Sequence, residues 1–285
     1  MVRVAAFTTV LIDGEPHDPA TATIPVADIG FIRGYGVFEV IRGIEGVCFR
    51  LQPHLDRLFR SAAMLGIDLP DNETIANWSR TAARGERESI VRILVSSGDD
   101  PFEGTARIIV TGEPAVSQPD SITLLPVAAP WHSDGADWEL RGAKTLSYAN
   151  NFGAIREAKL AGFSDALLIG RSGAMLEGPT FTVGWVVDGD DGPIYETPAM
   201  SLGILDSITR MVALDAAGLA SLQFREVTSP LERLEDATEF FALSTLREAL
   251  SVTAVGERDF PPGPATAVLR SAMVELTERE VAAAR

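Results

Sequence analysis

Hydrophobic and polar positions along this chain follow two periods that trade places several times. Residues 2–12 read as a strand that stops at Asp13-Gly14, and residues 36–50, GVFEVIRGIEGVCFR, alternate as a hairpin through Glu45-Gly46. In PHLDRLFRSAAMLGI the period lengthens, placing Leu55, Leu58, Ala62 and Leu65 on one helical face. Asp71-Asn72 caps a second helix that runs to about Arg84 and closes at Gly85. Three strand-like runs follow: SIVRILVSS, ARIIVTG and SITLLPVA.

The second half alternates differently. AKTLSY is extended, residues 150–161 are helical and stop at Gly162, and DALLIG is a short strand before the turn Arg171-Ser172-Gly173. FTVGWVVDGDDGPIYETP reads as a hairpin with an acidic turn, and SITRMVALDAAGLA as a helix opening at Ser207. FREV and EFFALS are strands, and an amphipathic helix from Pro264 carries Val268, Met273, Leu276 and Val281. Pro- and polar-rich residues between Val116 and Gly135 suggest a boundary. The expected organisation is α+β: a smaller domain over 1–118, a linker over 119–134 and a larger mixed domain over 135–285.

Composition changes this picture in a few respects. No apolar run approaches the ~20 residues that span a bilayer, and the start of the chain reads as strand and turn, not as an export signal. The single cysteine, Cys48, excludes an intrachain disulfide and suits the cytoplasm. Three scattered histidines and one cysteine argue against a bound metal. A formal net charge of −16 argues against nucleic acid or an anionic membrane as the main partner. Of the 24 basic residues only Lys144 and Lys159 are lysines. A lysine whose amine is desolvated attacks carbonyls to form Schiff bases, which arginine does not do.

Lys144 lies where an extended run gives way to a helix, a good place to project an amine. Glu177, in MLEGPTFTVGWV, is an isolated carboxylate after a turn. Ser207, Ile208 and Thr209 open a helix whose free amides, hydroxyl and dipole favour an anion. Arg57, in HLDRL, adds a guanidinium fork, and Thr245 in LSTLRE another hydroxyl. Singly these are ordinary cap, surface and helix residues. Together they are the parts needed by an aldehyde cofactor that carries a phosphate.

Six blocks in order, DIGFIRGYGVFEVIR, FRLQPHLDRLFRSAAMLGI, AKTLSYANNFGAIREAKLAGFSDALLI, MLEGPTFTVGWV, LGILDSITR and FALSTLREALSV, resemble the class IV aminotransferases. That resemblance implies fold type IV, with a smaller N-terminal α/β domain and a larger, barrel-like mixed domain. It implies pyridoxal 5'-phosphate (PLP) as cofactor and a homodimer. Lys144 matches the Schiff-base lysine that also moves the substrate proton. Glu177 matches the partner of the pyridine nitrogen, and Leu205 the residue against the ring face. Arg57, Ser207, Ile208, Thr209 and Thr245 match the phosphate site. Lys159 reads as a solvated helix lysine.

Specificity is less sharply written. The spacing from Lys144 to Glu157-Ala158 is that of D-amino acid enzymes and lyases. Ser97 stands where a D-amino acid enzyme carries its carboxylate-binding arginine, and Ile90 replaces the tyrosine of a branched-chain motif that includes Arg92. Arg33, placed on the strand before GYG, and Arg247 are the alternative carboxylate ligands, with Phe31 and Phe38 as apolar walls. The expectation is a transaminase acting on a D-amino acid or related primary amine with a 2-oxo acid. Branched-chain transamination and release of pyruvate from aminodeoxychorismate are the alternatives.

Overall fold

The computed structural model describes residues 7–285. Two compact units divide them. The first takes the described residues up to Ser117 together with Ala143–Tyr148 and Glu280–Arg285; the second takes Gln118–Gly142 and Ala149–Arg279.

The first unit is built on strands β1 (Thr9–Ile12), β2 (Glu15–His17), β3 (Gly36–Ile44), β4 (Val47–Cys48), β5 (Glu88–Ser96) and β6 (Arg107–Pro114). They form one antiparallel sheet in the order β2-β1-β6-β5-β3-β4. The part of the first expected strand over residues 2–6 lies outside the described residues. Alternation along β3 buries Val37, Glu39, Ile41 and Gly43 on one face and leaves Phe38, Val40 and Arg42 half-buried on the other. Helices α1 (Ile29–Arg33), α2 (Leu51–Met64) and α3 (Asn72–Ala82) complete the unit. Leu55, Leu58, Ala62 and Leu65 of the predicted α2 stripe are all buried. Asp71 caps α3, its carboxylate accepting the Thr74 N–H at 3.0 Å.

The second unit contains β7 (Ser121–Ala128), α4 (Ala149–Leu160), β8 (Asp165–Ile169), β9 (Thr182–Gly189) and β10 (Gly192–Pro198). It continues with α5 (Ile208–Leu219), β11 (Gln223–Val227), β12 (Ala237–Ser244), β13 (Glu248–Val255), β14 (Arg258–Asp259) and α6 (Pro264–Ala283), whose last residues belong to the first unit. Its mixed sheet runs β11-β10-β9-β12-β13-β7-β8, with β14 beside β13. Trp185 and Phe240 stack at 6.1 Å in its core, beside Leu124, Leu167 and Phe260. Glu239 caps α6 by accepting the N–H groups of Ala265 at 2.9 Å and Thr266 at 2.7 Å.

Several details differ from the sequence reading. The stretch read as a linker, 119–134, contains β7, which pairs in parallel with both β13 and β8. Its polar flanks suggested a boundary, but its apolar centre fills an interior strand position. Strand β13 itself carries no clean alternation, because Ala249 and Leu250 are both buried. On α6 the inner face takes Leu269, Met273, Leu276 and Val281, whereas Val268 is half exposed, one position and about 100° around the helix from the buried stripe. Arg33 ends α1, before the left-handed Gly34, and is not on a strand. No helix among the described residues is long and apolar enough to cross a membrane.

Candidate active site

In the first unit, residues 144–147 lie against the start of β3. The Lys144 N–H donates to Ser61 Oγ at 3.1 Å, and its carbonyl accepts the Phe38 N–H at 3.0 Å. The Leu146 N–H reaches the Gly36 carbonyl at 2.8 Å, and Ser147 Oγ the Gly34 carbonyl at 2.9 Å. Glycine is needed at 36: a Cβ there would strike the Val95 carbonyl and meet Leu146 Cδ1 at 2.7 Å. This fixes the half-buried Lys144 with Nζ 4.3 Å from the centre of the Phe38 ring and 5.8 Å from that of Tyr148. The two rings meet edge to face at 5.1 Å.

Arg57 is held by a partner that the motif reading did not single out. Its Nε and Nη2 each donate at 2.7 Å to the two oxygens of Glu39, a bidentate fork. His54 Nδ1 stands 2.8 Å from the same carboxylate. Burial pushes the Glu39 pKa up, but the charge and hydrogen bonds of Arg57, with His54 behind them, outweigh it and hold the group at about 2. Burial pushes His54 below its ordinary value, more than Glu39 raises it. A neutral ring beside an ionised carboxylate donates from Nδ1. One signal for Glu39 was available: an acid on the same face of an alternating strand as Val37 and Ile41.

The other first-unit candidates divide. Phe38 meets Lys144. Phe31 and Arg33 are exposed on α1, where Arg33 donates to the neighbouring Ile32 carbonyl at 3.1 Å. Arg92 forms an ion pair with Glu113.

In the second unit, Glu177 follows β8 and is half-buried. The Leu205 N–H is 3.3 Å from each of its oxygens, and His132 Nε2 is 3.4 Å from Oε1. Ser207 caps α5, its Oγ accepting the Arg210 N–H at 3.3 Å, so the amides of Ile208 and Thr209 lie in the first turn with no i−4 acceptor in the helix. Thr245 and Arg247 sit half-buried in the turn between β12 and β13. Arg247 lies 5.3 Å over the Phe181 ring, donates from Nε to Gln118 at 3.4 Å and has Asp165 4.0 Å from Nη2. Burial lowers its pKa against the opposing charge of Asp165. Its Nη1 is buried with no hydrogen-bond partner among the described residues. Lys159 is exposed on α4.

Residues 36–255 match the family described as amino-transferase class IV. A bifunctional aminodeoxychorismate lyase / D-amino acid transaminase of Mycobacterium tuberculosis is 28% identical, with 90% of this chain and 93% of that protein covered. A putative branched-chain-amino-acid aminotransferase of Methanocaldococcus jannaschii is 30% identical, over 87% and 88%. The solved structure of the fold IV-transaminase CpuTA1 from Curtobacterium pusillum superposes with a TM-score of 0.85 at 28% identity, covering 95% of this chain and 99% of that one. The chain belongs to the class IV aminotransferases, PLP-dependent transaminases of fold type IV.

The side chains present suit that cofactor. An amine rests on aromatic rings, and the first-turn amides of α5 offer a phosphate subsite. Among the described residues Glu177 Oε2 takes only the long Leu205 N–H, which leaves it able to accept from a ring nitrogen.

Proposed function

We propose that this enzyme moves an amino group between a D-amino acid, or a related primary amine, and a 2-oxo acid. The observation that carries the substrate class is the spacing from Lys144 to Glu157-Ala158, one residue shorter than branched-chain enzymes usually have. The 28% identical M. tuberculosis relative, named in part as a D-amino acid transaminase, supports it.

Bound PLP supplies a carbonyl for amine exchange and a ring that withdraws the electrons freed at the substrate α-carbon. Lys144 would carry the cofactor and, as acid and base, would move the proton between the substrate α-carbon and the cofactor's C4′. Its segment is tied to Ser61 and β3, so the amine works from a fixed backbone. Glu177 would accept a hydrogen bond from the protonated ring nitrogen and so keep it charged, and Leu205 would back the ring. Ser207, Ile208, Thr209 and Thr245 would hold the phosphate, and Arg57, whose plane is set by the fork to Glu39, matches the family's phosphate arginine. Arg247 would bind the substrate carboxylate, and Phe38 would furnish an apolar wall. Phe31 and Arg33 keep a secondary place in the substrate reading. The proposal extends to a homodimer, as the resemblance implies, which would cover the exposed Val26, Phe31 and Ile32. It also places the enzyme in the cytoplasm, which the lone buried Cys48 suits.

Borohydride reduction of the PLP-loaded enzyme should label Lys144 and leave Lys159 unlabelled, and Lys144→Ala should abolish the label. D-alanine, D-glutamate, L-leucine, L-glutamate and (R)-phenylethylamine, each offered with pyruvate or 2-oxoglutarate, test the substrate class, with aminodeoxychorismate assayed separately. Turnover of the D-amino acids is expected. Turnover confined to L-leucine and L-glutamate would establish the branched-chain reading instead, and pyruvate release from aminodeoxychorismate alone the lyase reading.

A further inference from the structure

Glu177 has a neighbour that no motif accounts for. His132 lies in the loop Trp131-His132-Ser133-Asp134-Gly135 of the same unit, its Nε2 3.4 Å from Glu177 Oε1. Its Nδ1 accepts the Asp134 N–H at 3.1 Å. The proton of the neutral ring is therefore on Nε2, facing the carboxylate.

The loop is pinned near both segments that meet at Glu177. Asp134 accepts the N–H of Ser172 at 2.6 Å and its hydroxyl at 2.8 Å, five residues before Glu177. The Gly135 N–H donates to the Leu202 carbonyl at 2.9 Å, three residues before Leu205. Two glycines make room for this. A Cβ on Gly170 would press on the Asp134 carboxylate, and one on Gly203, at φ +75°, would strike Ser133 Oγ and meet Arg141 Nε at 2.9 Å. A ring that merely filled space would not need its carrier fastened beside both the carboxylate and that carboxylate's backbone donor.

We propose that His132 is a positioning residue for the cofactor's ring nitrogen, acting through Glu177. The torsion that turns a glutamate carboxylate is soft, and a single N–H at 3.3 Å from both oxygens restrains it weakly. A second donor on Oε1 distinguishes the two oxygens. It leaves Oε2 turned to the ring nitrogen. The proposal rests on the role given to Glu177 above.

The test compares His132→Phe, which keeps a ring without the donor, with His132→Gln, which restores an N–H near the Nε2 position. Glu177→Gln and the His132→Phe/Glu177→Gln double variant complete the set. PLP affinity is read by titrating apoenzyme, and kcat and KM with the preferred substrate pair. His132→Phe should weaken PLP binding and lower kcat, each about tenfold, the scale of a lost hydrogen bond to a charged group. KM should stay within about twofold, since the donor acts on the cofactor and not on the substrate. His132→Gln should recover most of both losses. In the Glu177→Gln background His132→Phe should cost less than about twofold, because coupled residues are not additive.

The proposal is overturned if His132→Phe leaves affinity and kcat unchanged, if it costs the same factor in the Glu177→Gln background, or if a folded His132→Gln is as poor as His132→Phe. Should His132→Phe not fold, His132→Asn, too short to reach Oε1, replaces it with the same expected losses. An unimpaired Glu177→Gln would instead overturn the role of Glu177. An impaired Glu177→Gln beside a normal His132→Phe would remove only the histidine.

Discussion

Glu39 is fully buried, accepts a guanidinium fork and an imidazole, and is held ionised down to about pH 2. Its folded pKa lies below its ordinary 4.5, so its contribution to stability is present above 4.5 and is lost as the pH falls from there through 2. His54 acts in the same direction at higher pH. Its folded pKa lies below 6.5, so unfolding takes up a proton once the pH falls below that value, and stability declines. The thermal midpoint of the apoenzyme should therefore drop in two stages on acidification, the first below about pH 6.5 and the second below 4.5. His54→Gln should flatten the first stage. Glu39→Gln takes the carboxylate from a buried Arg57, should cost about 3–5 kcal/mol, and should flatten the second. Differential scanning calorimetry across pH checks all three outcomes. The sequence named Lys144, Glu177 and the helix-start residues because each sits in a block with a set order. Glu39 and His132 were not named, because what marks them is a partner far along the chain: Arg57 is 18 residues from Glu39, and Glu177 is 45 from His132.

Helix α2 shows how one element carries packing and chemistry together. His54, Arg57 and Ser61 fall on one line at i, i+3 and i+7, beside the buried line of Leu55, Leu58 and Ala62. The apolar line sets the depth and rotation of the helix. That in turn sets where Arg57 meets Glu39 and where Ser61 meets the Lys144 amide. Leu58→Ala should cost about 3 kcal/mol as a cavity in a well-packed core, and should weaken PLP binding although Leu58 has no polar contact to offer. Chemical denaturation and cofactor titration of the same variant check both parts. Local periodicity found this helix, the hairpin of β3 and β4 and α5 because each is amphipathic within a short window, while the hairpin of β9 and β10, buried on both faces of β9, was marked by its acidic turn. It left β13 unread, because its buried positions do not alternate although it pairs antiparallel with β12 just before it, and β7 without a sheet, because its parallel partners β8 and β13 lie far along the chain.

At the scale of the whole molecule, the first unit is discontinuous. It gathers the chain up to Ser117, six residues around Lys144 and the segment from Glu280. Across the widest of these gaps Arg50, left-handed at φ 53° and capping α2, forks to Glu280 at 2.7 and 2.5 Å. Glu280→Ala should speed amide hydrogen exchange in the first turn of α2 and lower the stability to chemical denaturation modestly, by about 1 kcal/mol for a partly exposed pair. Exchange confined to α6 would show that the fork does not support α2. The two partners are also far apart in time. A ribosome that has made Arg50 must add another 230 residues before Glu280 exists to meet it, and must pass Lys144 before β3 receives the segment that lies along its start. During synthesis the unit that begins first is thus finished last, and Arg50 at the head of α2 waits for its distant acid while the second sheet is still being made.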